Sequence, residues 1–234
     1  MMRLHEPGQV HFSPAVRIAF RKAGMAFLVL VAALAWVGSA PVLAQSHGGV
    51  LAGVNYKELS QPRPTEAAPG TVEVIEFLWY DCQTCFVVEP ALKRWLRERE
   101  GTVTLRRMPA LAGTHMIHYA RAFYAAEALG VLDEVHEALY EALHRHGRAL
   151  DREDTLAAFF AEHGVERTRF LSVFRSSAVA ARVRSAQQMS RDYELAGAPT
   201  FIVAGKYRVD PTMAASVSSM LEVIDFLVER ESGR

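Results

Sequence analysis

Ten residues, Thr71 to Tyr80 (TVEVIEFLWY), restrict the fold more than any other stretch of the chain. They are β-branched and aromatic, and too apolar on both faces for an edge strand, so they predict a central strand covered on both sides and, with it, a parallel sheet. The next run, CFVVEPALKRWLRERE, sets Phe86, Val87, Ala91, Leu92, Trp95 and Leu96 at helical spacing, with Gly101 closing the helix and Pro90 expected to kink it. TVTLRRMP reads as a second strand, making residues 71 to 108 a strand, helix, strand unit. From Thr114 to Ala196 the pattern turns almost wholly helical, with four or five helices, several ending at glycine. FIVAGKYRV then predicts a hairpin around Gly205-Lys206, and Asp210-Pro211 opens a last helix to about Glu229.

Two sheet-forming segments separated by a helical one give an α/β plan, a thioredoxin fold with a large all-helical domain inserted between its two halves. Its expected parts are an irregular lead-in over residues 45–70 with a short strand near Val54 to Leu59, a first half over 71–112, the helical insertion over 113–196 and a second half over 197–234. Residues 1–44 read as a secretory signal. Arg17, Arg21 and Lys22 precede the apolar run from Ala23 to Gly38, and Val42 and Ala44 offer small residues for cleavage after Ala44. That run is shorter than the roughly 20 residues a bilayer span prefers; an uncleaved anchor is the alternative, and either way the rest is exported. Without the leader, 22 basic residues face 25 acidic ones, and no nucleic-acid footprint is present.

The only two cysteines lie in YDCQTCF, Tyr80 to Phe86. A bridge across two residues closes too small a loop to stabilise much by restricting the unfolded chain, so reactivity explains the pair better than a structural staple. Cys82 falls where a central strand gives way to a helix, and the free amides and dipole of that helix favour a thiolate, the species that attacks disulfides. Cys85, one turn further on and less exposed, is placed to resolve a mixed disulfide. A zinc site is the competing reading, with His115 and His118 completing a Cys2His2 set, although such pairs normally sit on short knuckles.

Taken in order, VEVIEFLWYDCQTCFVVEP, the helical segment and GAPTFIVAGKY resemble the periplasmic thiol:disulfide oxidoreductases of the DsbA type, over most of residues 54 to 230. The resemblance implies that Cys82 is the exposed nucleophile and Cys85 its buried partner. It makes Pro199 a cis-proline facing them, where composition alone favours trans, and it gives Ala198 and Thr200 to an extended substrate peptide. Glu76 would be the buried acid beneath the pair, with Arg106 as its partner, serving as a proton relay to Cys85, as a structural ion pair, or as both. The implied activity is disulfide introduction into reduced periplasmic client proteins by a monomer. The cysteine pair serves as the redox group without metal or organic cofactor, and a membrane quinone-linked partner of the DsbB type reoxidises it. A reductase or isomerase of the same fold, and a non-catalytic client-binding module, are the alternatives.

The chain departs from the strong oxidants of that family, which carry Pro-His between the cysteines. Gln83 and Thr84 stand there, with Asp81 in front. Threonine offers only a neutral hydroxyl and Asp81 a like charge, so both changes are expected to raise the pKa of Cys82 and make a milder oxidant. If Asp81 points into solvent, screening removes its part.

Overall fold

The computed structural model of the chain describes residues 49–111, 113 and 116–233. The leader expected over residues 1–44, its cleavage after Ala44, and His115 lie outside the described residues. The lead-in holds one short strand, β1 (Lys57–Glu58). Then follow β2 (Val72–Leu78), α1 (Gln83–Glu98) and β3 (Val103–Pro109). Five helices come next: α2 (Ile117–Leu129), α3 (Leu132–His144), α4 (Glu153–Glu162), α5 (Arg167–Phe174) and α6 (Ser177–Asp192). The chain returns through β4 (Thr200–Val203) and β5 (Tyr207–Val209) to α7 (Val217–Glu231). Among the described residues no helix is long and apolar enough to cross a membrane.

The strands form one sheet in the order β1, β5, β4, β2, β3. All seven residues of β2 are buried, as expected for a strand covered on both faces. The expectation of a parallel sheet needs correction, because only β2 and β3 run parallel. β4 pairs antiparallel with β2, and the β4–β5 hairpin and β1 extend the sheet antiparallel. Strand direction follows from the path of the connection. The helical insertion returns the chain to the same end of β2, so β4 must run back along it.

The pleat sends alternate residues to two cores. Ile75, Phe77 and Ile202 meet the inserted helices, among Phe123, Tyr140, Phe160, Phe170 and Phe174. Val72, Val74, Phe201 and Val203 meet α1 and α7, through Val88, Leu92, Trp95, Ile224 and Leu227. At the outer end of α1, Asp225 of α7 accepts from Trp95 Nε1 at 2.9 Å and from both Arg99 Nε and Nη2 at 2.6 and 2.5 Å. The carboxylate ties the two helices together.

The last helix also differs from expectation. Asp210 caps only a single 3-10 turn, Pro211–Met213, accepting from the Thr212 N–H at 3.0 Å. α7 starts later, where Ser216 and Ser219 cap one another's backbone reciprocally. The hairpin turn between β4 and β5 places Gly205 at φ +64°, and a Cβ built there would stand 2.2 Å from the Arg63 carbonyl oxygen. Arg63 N–H in turn donates to the Gly205 carbonyl at 2.9 Å, so the lead-in lies directly across the turn. Gly205→Ala therefore combines left-handed backbone strain with displacement of a backbone strap, and is expected to lower unfolding free energy by about 2–4 kcal/mol. Denaturant unfolding measures this directly.

Candidate active site at the start of the first long helix

β2 ends at Leu78 and, after Trp79 to Asp81, the chain turns into α1 with Cys82 as its N-cap residue at φ −86°, ψ 112°. That position ordinarily takes a serine, threonine, asparagine or aspartate oxygen. Here a sulfur does the capping, and Cys82 Sγ accepts from the Cys85 N–H at 3.1 Å. The Cys85 thiol, opposed by partial burial and helped by the backbone N–H groups of Cys85 and Thr84, brings the Cys82 sulfur down to about 7 from its ordinary 9.0. Asp81 acts against this, as the smallest named contribution. Cys85 is fully buried, and burial, reinforced by Cys82, pushes its thiol far above its usual range. Both thiols are free. One sulfur thus exchanges its proton near neutrality, as thiol or as anion, and the other is held as a neutral thiol.

Opposite the pair runs the loop into β4. The Ala198–Pro199 peptide is cis, and the Cys82 thiol donates to the Ala198 carbonyl at 3.4 Å. Thr200 is fully buried and its hydroxyl donates to the Gly197 carbonyl at 2.8 Å. The Thr200 side chain closes the proline turn, which leaves its backbone groups for the substrate contact expected of this residue. Gln83, Thr84 and Asp81 are exposed at the rim. Because Asp81 is solvated, Asp81→Asn is expected to lower the Cys82 titration midpoint by no more than about half a pH unit at low salt, and the difference should fade in molar salt. Thiolate absorbance against pH reads both effects.

Likeness to known proteins extends from this site over most of the chain. The sequence profile of the DSBA-like thioredoxin domain matches residues 86–221, more than half of the chain. The thiol:disulfide interchange protein DsbA of Pseudomonas aeruginosa is 35% identical over 204 residues, covering 87% of this chain and 96% of that protein. The protein of the same name from Burkholderia cepacia is 32% identical over 195 residues, covering 83% and 92%. The chain belongs to the DsbA-like thioredoxin family. Solved structures agree. The crystal structure of Pseudomonas aeruginosa DsbA superposes with a TM-score of 0.72 at 35% identity, over 78% of this chain and 95% of that one. The oxidoreductase DsbA from Xylella fastidiosa gives 0.71 at 31% identity, over 77% and 96%.

Beneath the cysteines this DsbA-like chain buries a charged cluster. Glu76 on β2 is fully buried, and burial lifts its carboxyl from 4.5 to about 7 despite the guanidinium of Arg107 beside it. Arg107 Nε donates to Glu76 Oε2 at 3.0 Å. The expected pairing of Glu76 with Arg106 is incorrect. In the parallel register Glu76 stands beside Arg107, whereas Arg106 points to the opposite face and meets Glu66 at 3.1 Å and the buried Glu73 at 3.4 Å. Successive strand residues face opposite ways, so one residue of register decides which arginine reaches the acid.

Three further members were not singled out from the sequence. Arg107 Nη2 donates to Glu89 Oε1 of α1 at 2.6 Å. His136 of α3 places Nε2 3.6 Å from Glu89 Oε2 and Nδ1 2.9 Å from the Tyr80 hydroxyl. His144, at the end of α3, donates from Nε2 to the Tyr80 carbonyl at 2.7 Å and stacks on Phe86 at 5.1 Å between centroids. Tyr80 thus anchors the cysteine loop to the helical insertion at two points. Helical spacing carried one signal, since Glu89 lies four residues after Cys85 on the same face of α1. Among the described residues no three His, Cys, Asp or Glu side chains converge as a metal site would require. His118 is exposed on α2.

Proposed function

We propose that the protein is an exported oxidant of protein dithiols that works in the periplasm through the Cys82–Cys85 pair. The observation that carries the reading is the Cys82 sulfur capping α1, with its thiolate favoured to about 7 and the Ala198 carbonyl of the cis-proline loop 3.4 Å away. A client thiolate attacks Cys82 of the oxidised pair, and the bond to Cys85 breaks with its electron pair on Cys85. Glu76, able to hold a proton near neutrality, supplies it to that leaving sulfur. The client's second thiolate then attacks its own sulfur in the mixed disulfide, and Cys82 departs as the stabilised thiolate. Two electrons pass to the enzyme and a disulfide stays in the client.

Ala198 and Pro199 form the wall along which an extended client segment would lie, with backbone groups next to the reacting sulfur. No metal or organic cofactor enters this scheme, since the sulfur pair carries both electrons. Reoxidation falls to a membrane quinone-linked partner of the DsbB type reaching the same face, and the working form is a monomer. A sulfur poised at about 7 supports a milder oxidant than the Pro-His members. The test mixes the oxidised protein with a reduced, unfolded client. One client disulfide should form per enzyme disulfide consumed, and the pair should be recovered from cells mainly oxidised. A pair that is mainly reduced in cells, with electrons flowing into client disulfides, would establish the reductase instead.

A further inference from the structure

A cleft of about 440 Å³ opens beside the cysteine loop, between the residues that follow β3 and the C-terminal end of α6. That volume falls in the roughly 300–1,000 Å³ range of clefts that hold small ligands. Buried Leu111 with half-buried Trp79 and Leu195 supplies its apolar wall, and Gln187 and Arg191 its polar rim. Hydrogen bonds tie the two sides together. Leu111 N–H donates to Ser190 Oγ at 3.1 Å, that hydroxyl donates to the Ala186 carbonyl at 2.8 Å, and Leu195 N–H donates to the Ser190 carbonyl at 3.0 Å. The cleft also adjoins the reacting sulfur along the chain in two places. Trp79 accepts from the Cys82 N–H through its carbonyl at 3.3 Å. Gly197, another lining residue, directly precedes Ala198, whose carbonyl is 3.4 Å from the Cys82 sulfur.

Charge at the rim is unbalanced. Glu194 is paired with Lys57, and Asp192 with Arg63 at 3.1 Å. Arg191 is exposed and reaches the Gln188 amide oxygen at 2.6 Å, and among the described residues it pairs with no carboxylate. We propose that the cleft is a client subsite, which takes a large apolar side chain two residues from the client cysteine, with an acidic residue next along the client facing Arg191. The inference rests on the reading that an extended client segment lies along Ala198 and Pro199 with its cysteine at Cys82. Side chains of an extended segment alternate, so the second residue from the cysteine turns to the same side as the reacting sulfur, roughly 6–7 Å further on. Gly197 adds no side chain between the sulfur and the wall formed by Trp79 and Leu195. Burial of the apolar group supplies the preference, and the guanidinium at the open rim adds a weaker, salt-sensitive one.

Reduced protein mixed with short peptides tests the assignment. Each peptide carries one cysteine capped as a mixed disulfide with thionitrobenzoate. The Cys82 thiolate attacks the peptide sulfur, and the coloured thionitrobenzoate leaves with the electron pair of the broken bond. Phenylalanine two residues from the cysteine should speed release about five- to ten-fold over glycine, and a glutamate beyond it should add about two-fold at low salt. Gln187→Trp, which fills the cleft from the rim, should abolish the phenylalanine gain and leave the glycine-peptide rate unchanged. Arg191→Glu should keep that gain and turn the charge preference from glutamate to lysine. Equal rates for phenylalanine and glycine peptides, a gain that survives Gln187→Trp, or a charge preference indifferent to Arg191→Glu would overturn the proposal. If no peptide reacts at all, the functional reading fails, and nuclear magnetic resonance still judges the cleft. The phenylalanine peptide with serine in place of cysteine should shift the Leu111 and Leu195 amide signals, and the absence of any shift would count against the subsite by itself.

Discussion

Cys82→Ser will reduce client oxidation to the rate of buffer alone, the largest loss any single substitution in this chain should produce. A serine oxygen cannot form the disulfide that stores the two electrons, and its hydroxyl does not ionise near neutrality. Cys85→Ser behaves differently. Its hydroxyl can still donate toward Cys82, so the outer sulfur remains a thiolate able to attack a client disulfide. No inner thiol then exists to resolve the product, and mixed disulfides with clients should accumulate as bands that reductant releases. Net oxidation is lost in both variants, but only the second traps its partners. Failure of Cys85→Ser to trap any would argue for a client-binding module in which the pair takes no part in exchange.

Glu76→Gln will stabilise the fold at alkaline pH. Burial carries the Glu76 carboxyl from 4.5 to about 7, a difference corresponding to on the order of 3 kcal/mol. Because the folded-state value is raised, the native protein binds this proton more tightly than the unfolded chain. Its contribution is fully present below pH 4.5 and is lost as pH rises through about 7. Glutamine has no proton to lose and still accepts from Arg107, leaving that guanidinium matched one to one with Glu89. At pH 8 the variant should therefore exceed the wild type by on the order of 3 kcal/mol, and the two should converge toward pH 4.5. Denaturant unfolding of both proteins in the reduced state, at the two pH values, checks the magnitude and the sign. The added stability comes with loss of the acid beneath Cys85, so client oxidation should fall in the same variant.

Much of this architecture was legible because it is written in local periodicities. Thr71 to Tyr80 alternates apolar residues toward both faces, and the structure buries every residue of β2. The helical repeats after Thr114 became five helices. Strand direction was not legible, since nothing within Thr200 to Val203 distinguishes a strand that returns antiparallel from one that crosses over; that is decided by the insertion preceding it. Likewise Arg106 and Arg107 are indistinguishable as adjacent residues, and only the register against β2 assigns one to Glu76 and the other to Glu73. Glu89 and His136 were hidden for another reason. Each sits on an otherwise apolar helix face as a single polar residue, and its meaning arises when three elements distant in sequence converge.

The sulfur that terminates α1 has a thermodynamic corollary. As an anion Cys82 completes the helix, whereas in a disulfide its sulfur is uncharged, so accepting electrons and consolidating the first turn become one event. The driving force for oxidising a client is then the difference in conformational stability between the two redox forms, about 30 mV for each 1.4 kcal/mol. Lesions that weaken both forms alike, such as damage at the hairpin strap, would leave the potential where it was. Changes that the two redox forms feel unequally, as at that opening turn, retune it.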